Sequence, residues 1–178
     1  MARINLREYQ ETLVGRMAEA AAGAAASSHL GIRCGDERWL IDLQDVNEVI
    51  APGAVMPVEL TRPWFKGLTN VRGNLIAVID FSLFLGAGPV TGGDTRIVVL
   101  AEKFAVRAAL LVTQVDGLHY VEQFERSAAP DGAAPWMGAT WRDADGRTWN
   151  ELAVRELVRH PQFLQAGEQT GRTESVPA

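Results

Sequence analysis

Asn70-Val71-Arg72-Gly73-Asn74, running into Leu75-Ile76-Ala77-Val78-Ile79 and then Asp80-Phe81, sets a charged turn directly before a strand with no polar face. Gly73 can adopt the positive φ that a tight hairpin requires, so Arg72 is expected at a strand-joining tip with its five donors facing outward. A guanidinium held in that way is a recognition point.

Short strands continue on both sides of this hairpin. Residues 30–34 and 38–42 are expected to pair across Gly35-Asp36-Glu37, and residues 43–50 read as a helical turn or a bent strand ended by Pro52-Gly53. Strands follow at 55–58, 66–71, 75–79, 96–101 and 106–112, with one helical turn at 81–85 closed by Gly86. Three of these stretches, 75–79, 97–100 and 108–112, are apolar at every position instead of every second one. In a parallel sheet that pattern means helices on both faces, but the alternating helices are missing, so other strands must cover the outer face. Two small antiparallel barrels pressed together satisfy this, with one parity filling each barrel and the other filling the seam. Leu75, Ile79, Val98 and Leu110 are expected at or beside that seam.

The ends read differently. Leu6, Leu13 and Met17 recur at near-heptad spacing, with Tyr9 and Ala20 adjoining, which predicts a helix over residues 5–22 followed by a small-residue linker. Beyond a Pro, Gly and Ala loop at 127–138, a hairpin is expected at 139–149, turning at Asp143-Ala144-Asp145-Gly146. Asn150 is read as the cap of a last helix with Glu151 at its positive end, Leu152, Leu157 and Val158 on one face, and its end before Pro161. Residues 167–178 have little apolar surface and are expected to be disordered. The organisation is thus an N-terminal helix and linker (1–27), a domain (28–166) and a tail (167–178).

Composition narrows the function class. With 178 residues, 47% of them hydrophobic, the chain can bury a substantial core, and a net charge of -5 argues against nucleic acid as partner. The one cysteine, Cys34, excludes an internal disulfide and reads as a buried small hydrophobe; the cytoplasm fits this, as does an Ala-rich segment (18–26) interrupted by acids and unlike a signal peptide. No run approaches the roughly 20 apolar residues of a membrane span.

Pro57, the Trp64-Phe65-Lys66-Gly67-Leu68-Thr69 run and the Asn70-to-Phe81 stretch together resemble the signature of CheW-like domains: an aromatic, a Gly, an Asn, Arg-Gly, then an apolar strand ending in Asp. Thr69 stands where that family often has Ile, and Ala77 where Pro is common. Leu43, Val46, Glu48, Val49 and Ile50 upstream, and Leu111, Val112, Val115 and Gly117 downstream, match further segments, so the resemblance spans about residues 28–164. Within the family, Thr61-Arg62-Pro63-Trp64-Phe65 and the Ala-rich extension look most like the coupling proteins of type IV pilus (twitching motility) chemosensory systems.

The resemblance implies a mostly β fold of two packed SH3-like five-stranded β-barrels. It also implies a non-enzymatic scaffold, without cofactor, that joins a methyl-accepting chemoreceptor to a CheA-like histidine kinase. Partner contact falls on Arg72, Asn70, Gly73, Glu48 and Val49, with Gly67 permitting close backbone approach. Trp64 and Phe65 are expected as exposed aromatics beside Arg72, the pairing enriched at binding hot spots. A small-ligand-binding β-barrel is the alternative, decided by whether the interior has room.

Other chemistries fail on spacing. Asp143-x-Asp145-Gly146 opens like a calcium loop, but Arg147 takes a ligand position and Val154 replaces the bidentate Glu. The Gly86-Ala87-Gly88 and Gly92-Gly93 cluster follows a helical turn instead of a strand and is broken by Pro89, so it reads as a connector between the barrels. His29, His119 and His160 are isolated, which gives no metal site, and no nucleophile elbow or carboxylate pair is present.

Overall fold

The computed structural model describes residues 28–167; the helix expected at 5–22, its linker and the tail beyond residue 167 lie outside the described residues. β1 (Ser28–Cys34) and β2 (Glu37–Asp42) form the expected hairpin, and a 3-10 turn (Leu43–Asp45) leads to β3 (Val46–Ile50), β4 (Phe65–Val71) and β5 (Asn74–Asp80). The helical turn α1 (Phe81–Phe84) precedes β6 (Arg96–Leu100), β7 (Ala108–Val112) and β8 (Gln114–Tyr120). Then come β9 (Glu125–Ser127), β10 (Met137–Arg142), β11 (Thr148–Leu152), α2 (Val154–Arg159) and α3 (Pro161–Leu164).

These strands make a six-stranded sheet, β8-β1-β2-β11-β10-β9, and a five-stranded sheet, β3-β6-β7-β5-β4. The second is inserted in sequence between β2 and β8 of the first. Each is antiparallel except for one parallel pair, β2 with β11 and β5 with β7. The architecture is the mostly β, two-layer one expected, but among the described residues neither ladder closes into a five-stranded barrel. β9 adds a sixth strand to one sheet. In the other, the segment after β3 pairs with β4 through nothing more than the isolated Met56–Leu68 bridge among the described residues, too little to make a continuous ladder.

The strands that are apolar throughout are buried on both faces. Ile79, Val98, Leu100, Leu110 and Val112 share one cluster with Leu30, Ile32, Trp39 and Ile41 of the other sheet. Ile76, Val78, Ile97, Val99 and Ala109, the opposite parity, meet Val71, Ile50 and Val55 on the far face. Leu75 departs from the expectation: it is 48% exposed. Ile79→Val, which removes one methylene from the seam, should cost about 0.5–1.5 kcal/mol and lower the melting temperature by a few degrees; a melting curve superimposable on the native one would contradict this packing.

Three local readings change. Asn150 and Glu151 lie in β11, whose parallel pairing with β2 overrides their helix-start pattern, and α2 begins only after Ala153, without a side-chain cap. Pro161 does end α2, but it then opens α3, with the His160 ring accepting the Gln162 N–H. The glycine-rich segment joins α1, which follows β5, to β6, so its flanking strands belong to one sheet rather than the two, and it is tied down where Val90 N–H donates to Asp80 Oδ2 at 3.0 Å. The third is β8, a strand with no counterpart among the elements expected from the sequence: Asp116-Gly117, a turn-like pair by type, sits inside it, where the β1–β8 register shifts and Gly117 has φ 96°. A Gly at positive φ within a ladder is a bulge, not a chain reversal. Asp116, beside it, pairs with Arg33 at 2.8 Å.

The other face of the six-stranded sheet holds the rings of His119, Trp149 and Phe124. Gly31 makes room for them, since a Cβ there would lie 2.6 Å from the His119 ring. Asp143 caps the β10–β11 turn, accepting from Asp145 N–H, Arg147 N–H and, at 3.0 Å, Trp149 Nε1–H. Burial pushes the Asp143 carboxyl up, but the Trp149 and Arg147 hydrogen bonds outweigh it and hold the group below its usual value. Burial holds the His119 imidazole below its ordinary value, against the partial opposition of Asp116 and Asp143, and its buried Nε2 has no hydrogen-bond partner among the described residues.

A depressed histidine pKa means that the unfolded chain binds more protons as pH falls below about 6.5, so stability present at pH 7 is lost on acidification. Asp143 adds a further loss below the ordinary carboxylate range. The melting temperature should therefore fall between pH 7 and pH 5, and fall less in His119→Phe; equal falls in both would remove the assignment.

Candidate functional site at the β4–β5 hairpin

Val71 pairs with Asn74, leaving Arg72 and Gly73 as a two-residue turn with φ 52° and 86°. Positive φ at both centres is the turn whose twist matches the flanking strands, normally made by Asn-Gly. Arginine at the first of these positions costs on the order of 1 kcal/mol. The turn is held from below, where Asn70 Oδ1 accepts the Gly73 N–H at 2.8 Å.

Arg72 Nη2 donates to Glu48 Oε2 at 2.9 Å, while the Arg72 side chain stays 79% exposed. Glu48 belongs to β3 and Arg72 follows β4, the two edges of the five-stranded sheet. The ion pair thus spans the gap the ladder leaves open, helped by Thr69 Oγ1–H donating to Ala54 O at 2.8 Å. An exposed pair of this kind contributes only about 0–1 kcal/mol, so its main effect is to orient a guanidinium whose remaining donors face solvent.

The hairpin also protrudes. β7 first meets β5 at the Ala77–Ala108 pair, so Asn74, Leu75 and Ile76 extend past their neighbour on that side. This is why Leu75 is exposed, and it adds an apolar contact beside Arg72 that the sequence reading had placed in the seam. Val49, next to Glu48 on β3, is also exposed. A cleft of about 500 Å³ opens between the hairpin, β3 and the turn before β7, lined by Glu48, Arg72, Asn74, Ile76, Val99 and Arg107 among others. Arg107 carried no sequence signal, because only the β5–β7 pairing brings it to the hairpin.

Gly67 lies lower on β4 with φ 129°, at a register shift against β5, and a Cβ there would sit 2.0 Å from Met56 O. It permits the backbone approach expected of it, toward its own chain. Trp64 and Phe65 are not beside Arg72. Trp64 is 7% exposed, its ring 5.3 Å from that of Phe84, and Phe65 is half-buried against the same core. They sit at the opposite end of β4, about 20 Å from the turn at ~3.3 Å per residue. The aromatic hot-spot expectation is corrected: Pro63 delivers Trp64 into the seam. Cys34 is buried, as expected, and burial, with Glu37 and Asp80 adding to it, drives its thiol pKa far up. Among the described residues no helix is long and apolar enough to cross a membrane.

This arrangement has relatives. The chain is 28% identical over 141 residues to Protein PilI of Pseudomonas aeruginosa, covering 77% of this chain and 78% of that protein. It is 23% identical over 105 residues to Chemotaxis protein CheW of Rhizobium meliloti, covering 59% of this chain and 68% of that protein. The crystal structure of the scaffolding protein TtCheW from Thermoanaerobacter tengcongensis superposes with a TM-score of 0.61 at 19% identity, over 71% of this chain and 88% of that one, and shows the same fold. Residues 28–162, well over half of the chain, match the CheW-like domain, and the chain belongs to that family.

Proposed function

We propose that this chain is a non-enzymatic coupling protein, with residues 28–166 as its coupling domain, that joins a methyl-accepting chemoreceptor to a CheA-like histidine kinase. The output proposed is type IV pilus control, and the place of action is the cytoplasm, against membrane-associated receptor arrays. The observation that carries this reading is the Arg72 turn: an exposed guanidinium in a costly backbone conformation, aimed by Glu48 and flanked by exposed Leu75 and Val49. Backbone strain kept at an exposed tip is a signature of a binding position. Asn70 and Gly73 act by fixing the turn; Glu48 and Val49 form its floor.

In mechanism, one partner docks on the hairpin and the β3 edge while the other sits on a second face, where the two sheets meet. The shared core through Ile79, Val98 and Leu110 makes the two layers one stiff body, so a shift of the receptor is passed on as a change in kinase orientation. The test is reconstitution of the purified chain with the cognate receptor tip and the kinase regulatory domain. A ternary complex is expected, and the reading fails if the chain binds neither.

The cleft beside Arg72 supports a second reading, a small-ligand site, since about 500 Å³ falls in the range of ligand pockets. The interior behind it is filled by Ile76, Val78 and Val99. A thermal-shift screen of anionic and zwitterionic metabolites decides between the two: a stabilising hit lost in Arg107→Ala favours the ligand reading.

A further inference from the structure

We propose that residues 5–22 form an amphipathic helix that docks on Leu118 and Tyr120, at the outer strand of the six-stranded sheet. Among the described residues β8 is an edge strand, paired with β1 alone. Residues opposed across an antiparallel ladder project from the same face, and Leu118 faces Leu30 while Tyr120 faces Ser28. Leu30 belongs to the core between the sheets, yet Leu118 is 52% and Tyr120 48% exposed. The core face therefore runs one strand beyond what covers it, ending in a Leu and a Tyr on the rim.

The position of the missing cover follows from the chain. Ser28, the first described residue, is the ladder partner of Tyr120, so the segment before it is attached to the fold one strand away from the patch, at about 5 Å. The five small residues at 23–27 reach at most about 17 Å, which keeps a helix ending at Ala22 close to this rim. Leu6, Tyr9, Leu13, Met17 and Ala20 recur at three- and four-residue spacing and fall on one helical stripe, with Glu8, Glu11 and Glu19 opposite. A helix of this length is marginal alone in water and needs an apolar surface. The rim provides one within reach.

Cross-linking in the full chain tests this. Leu6→Cys, Leu13→Cys and Met17→Cys are each combined with Tyr120→Cys under mild oxidation; the buried Cys34 stays in place. At least one pair should close an intramolecular disulfide in tenfold or greater excess over the same N-terminal cysteines combined with Asp94→Cys. Leu13→Glu with Met17→Glu, added to the Leu6→Cys/Tyr120→Cys protein, should bring its yield down to the control level. Cross-links found only between two chains would make a second copy the occupant and overturn the proposal, as would yields at the control level for all three pairs. Should the cysteine variants fail to fold, amide exchange across residues 114–120 replaces them: it should be at least about tenfold slower in the native chain than in Leu13→Glu/Met17→Glu, and equal rates overturn the proposal.

Discussion

Gly67→Val is expected to leave little folded protein under conditions where the native chain is fully folded. At φ 129° an L side chain is strained in any surroundings, and here its Cβ would lie 2.0 Å from Met56 O and 2.9 Å from Pro57 Cα. Both obstacles are backbone, and the segment carrying them is fixed by two hydrogen bonds between Met56 and Leu68, of 2.7 and 2.9 Å. Relief requires breaking that bridge and moving the whole connection off β4. Backbone strain of about 1–3 kcal/mol and overpacking of a similar size add to about 2–6 kcal/mol, a large part of a typical domain's stability of roughly 5–15 kcal/mol. Gly53→Ala is the control, because a Cβ there meets nothing within 4 Å. Urea unfolding of the three proteins measures the difference. If Gly67→Val unfolds at the native midpoint, the close approach of the two segments is wrong.

The two-layer core was legible in the sequence for a physical reason: strands with no polar face must be covered twice, and the parity split between Ile79, Val98, Leu110 and Ile76, Ile97, Val99 is that double covering. Closure was not legible, because it depends on how far each strand runs past its neighbours. The same limit misplaced Leu75, apolar like the rest of β5 but beyond the end of β7. β8 escaped because Asp-Gly is a turn signal locally and a bulge only when β1 lies alongside. At the site, Arg72, Gly73 and Asn70 were readable since a two-residue hairpin is a local structure. Trp64 was misread because exposure depends on tertiary contacts: Phe84, twenty residues on, supplies the ring that buries the tryptophan.

Arg72→Glu should separate folding from partner binding. The native side chain is 79% exposed and makes one ion pair, so its loss, with the new repulsion from Glu48, should lower stability by no more than about 1 kcal/mol. The hairpin remains, since its turn is held by Asn70 and Gly73 and its ladder by β4 and β5. At a desolvated interface the same change inverts a charge and removes a forked donor, which costs about 2 kcal/mol or more, at least ~30-fold in affinity. Melting by circular dichroism and titration against the receptor tip and the kinase regulatory domain read the two effects separately. The charge-swapped pair, Arg72→Glu with Glu48→Arg, distinguishes contact from support: it restores the ion pair across the open edge but not the guanidinium at the tip. Stability should recover in the swap while binding stays weak. Full recovery of binding would mean that Arg72 serves only to hold the sheet edges together, and native affinity in the single variant would remove the hairpin from the interface altogether.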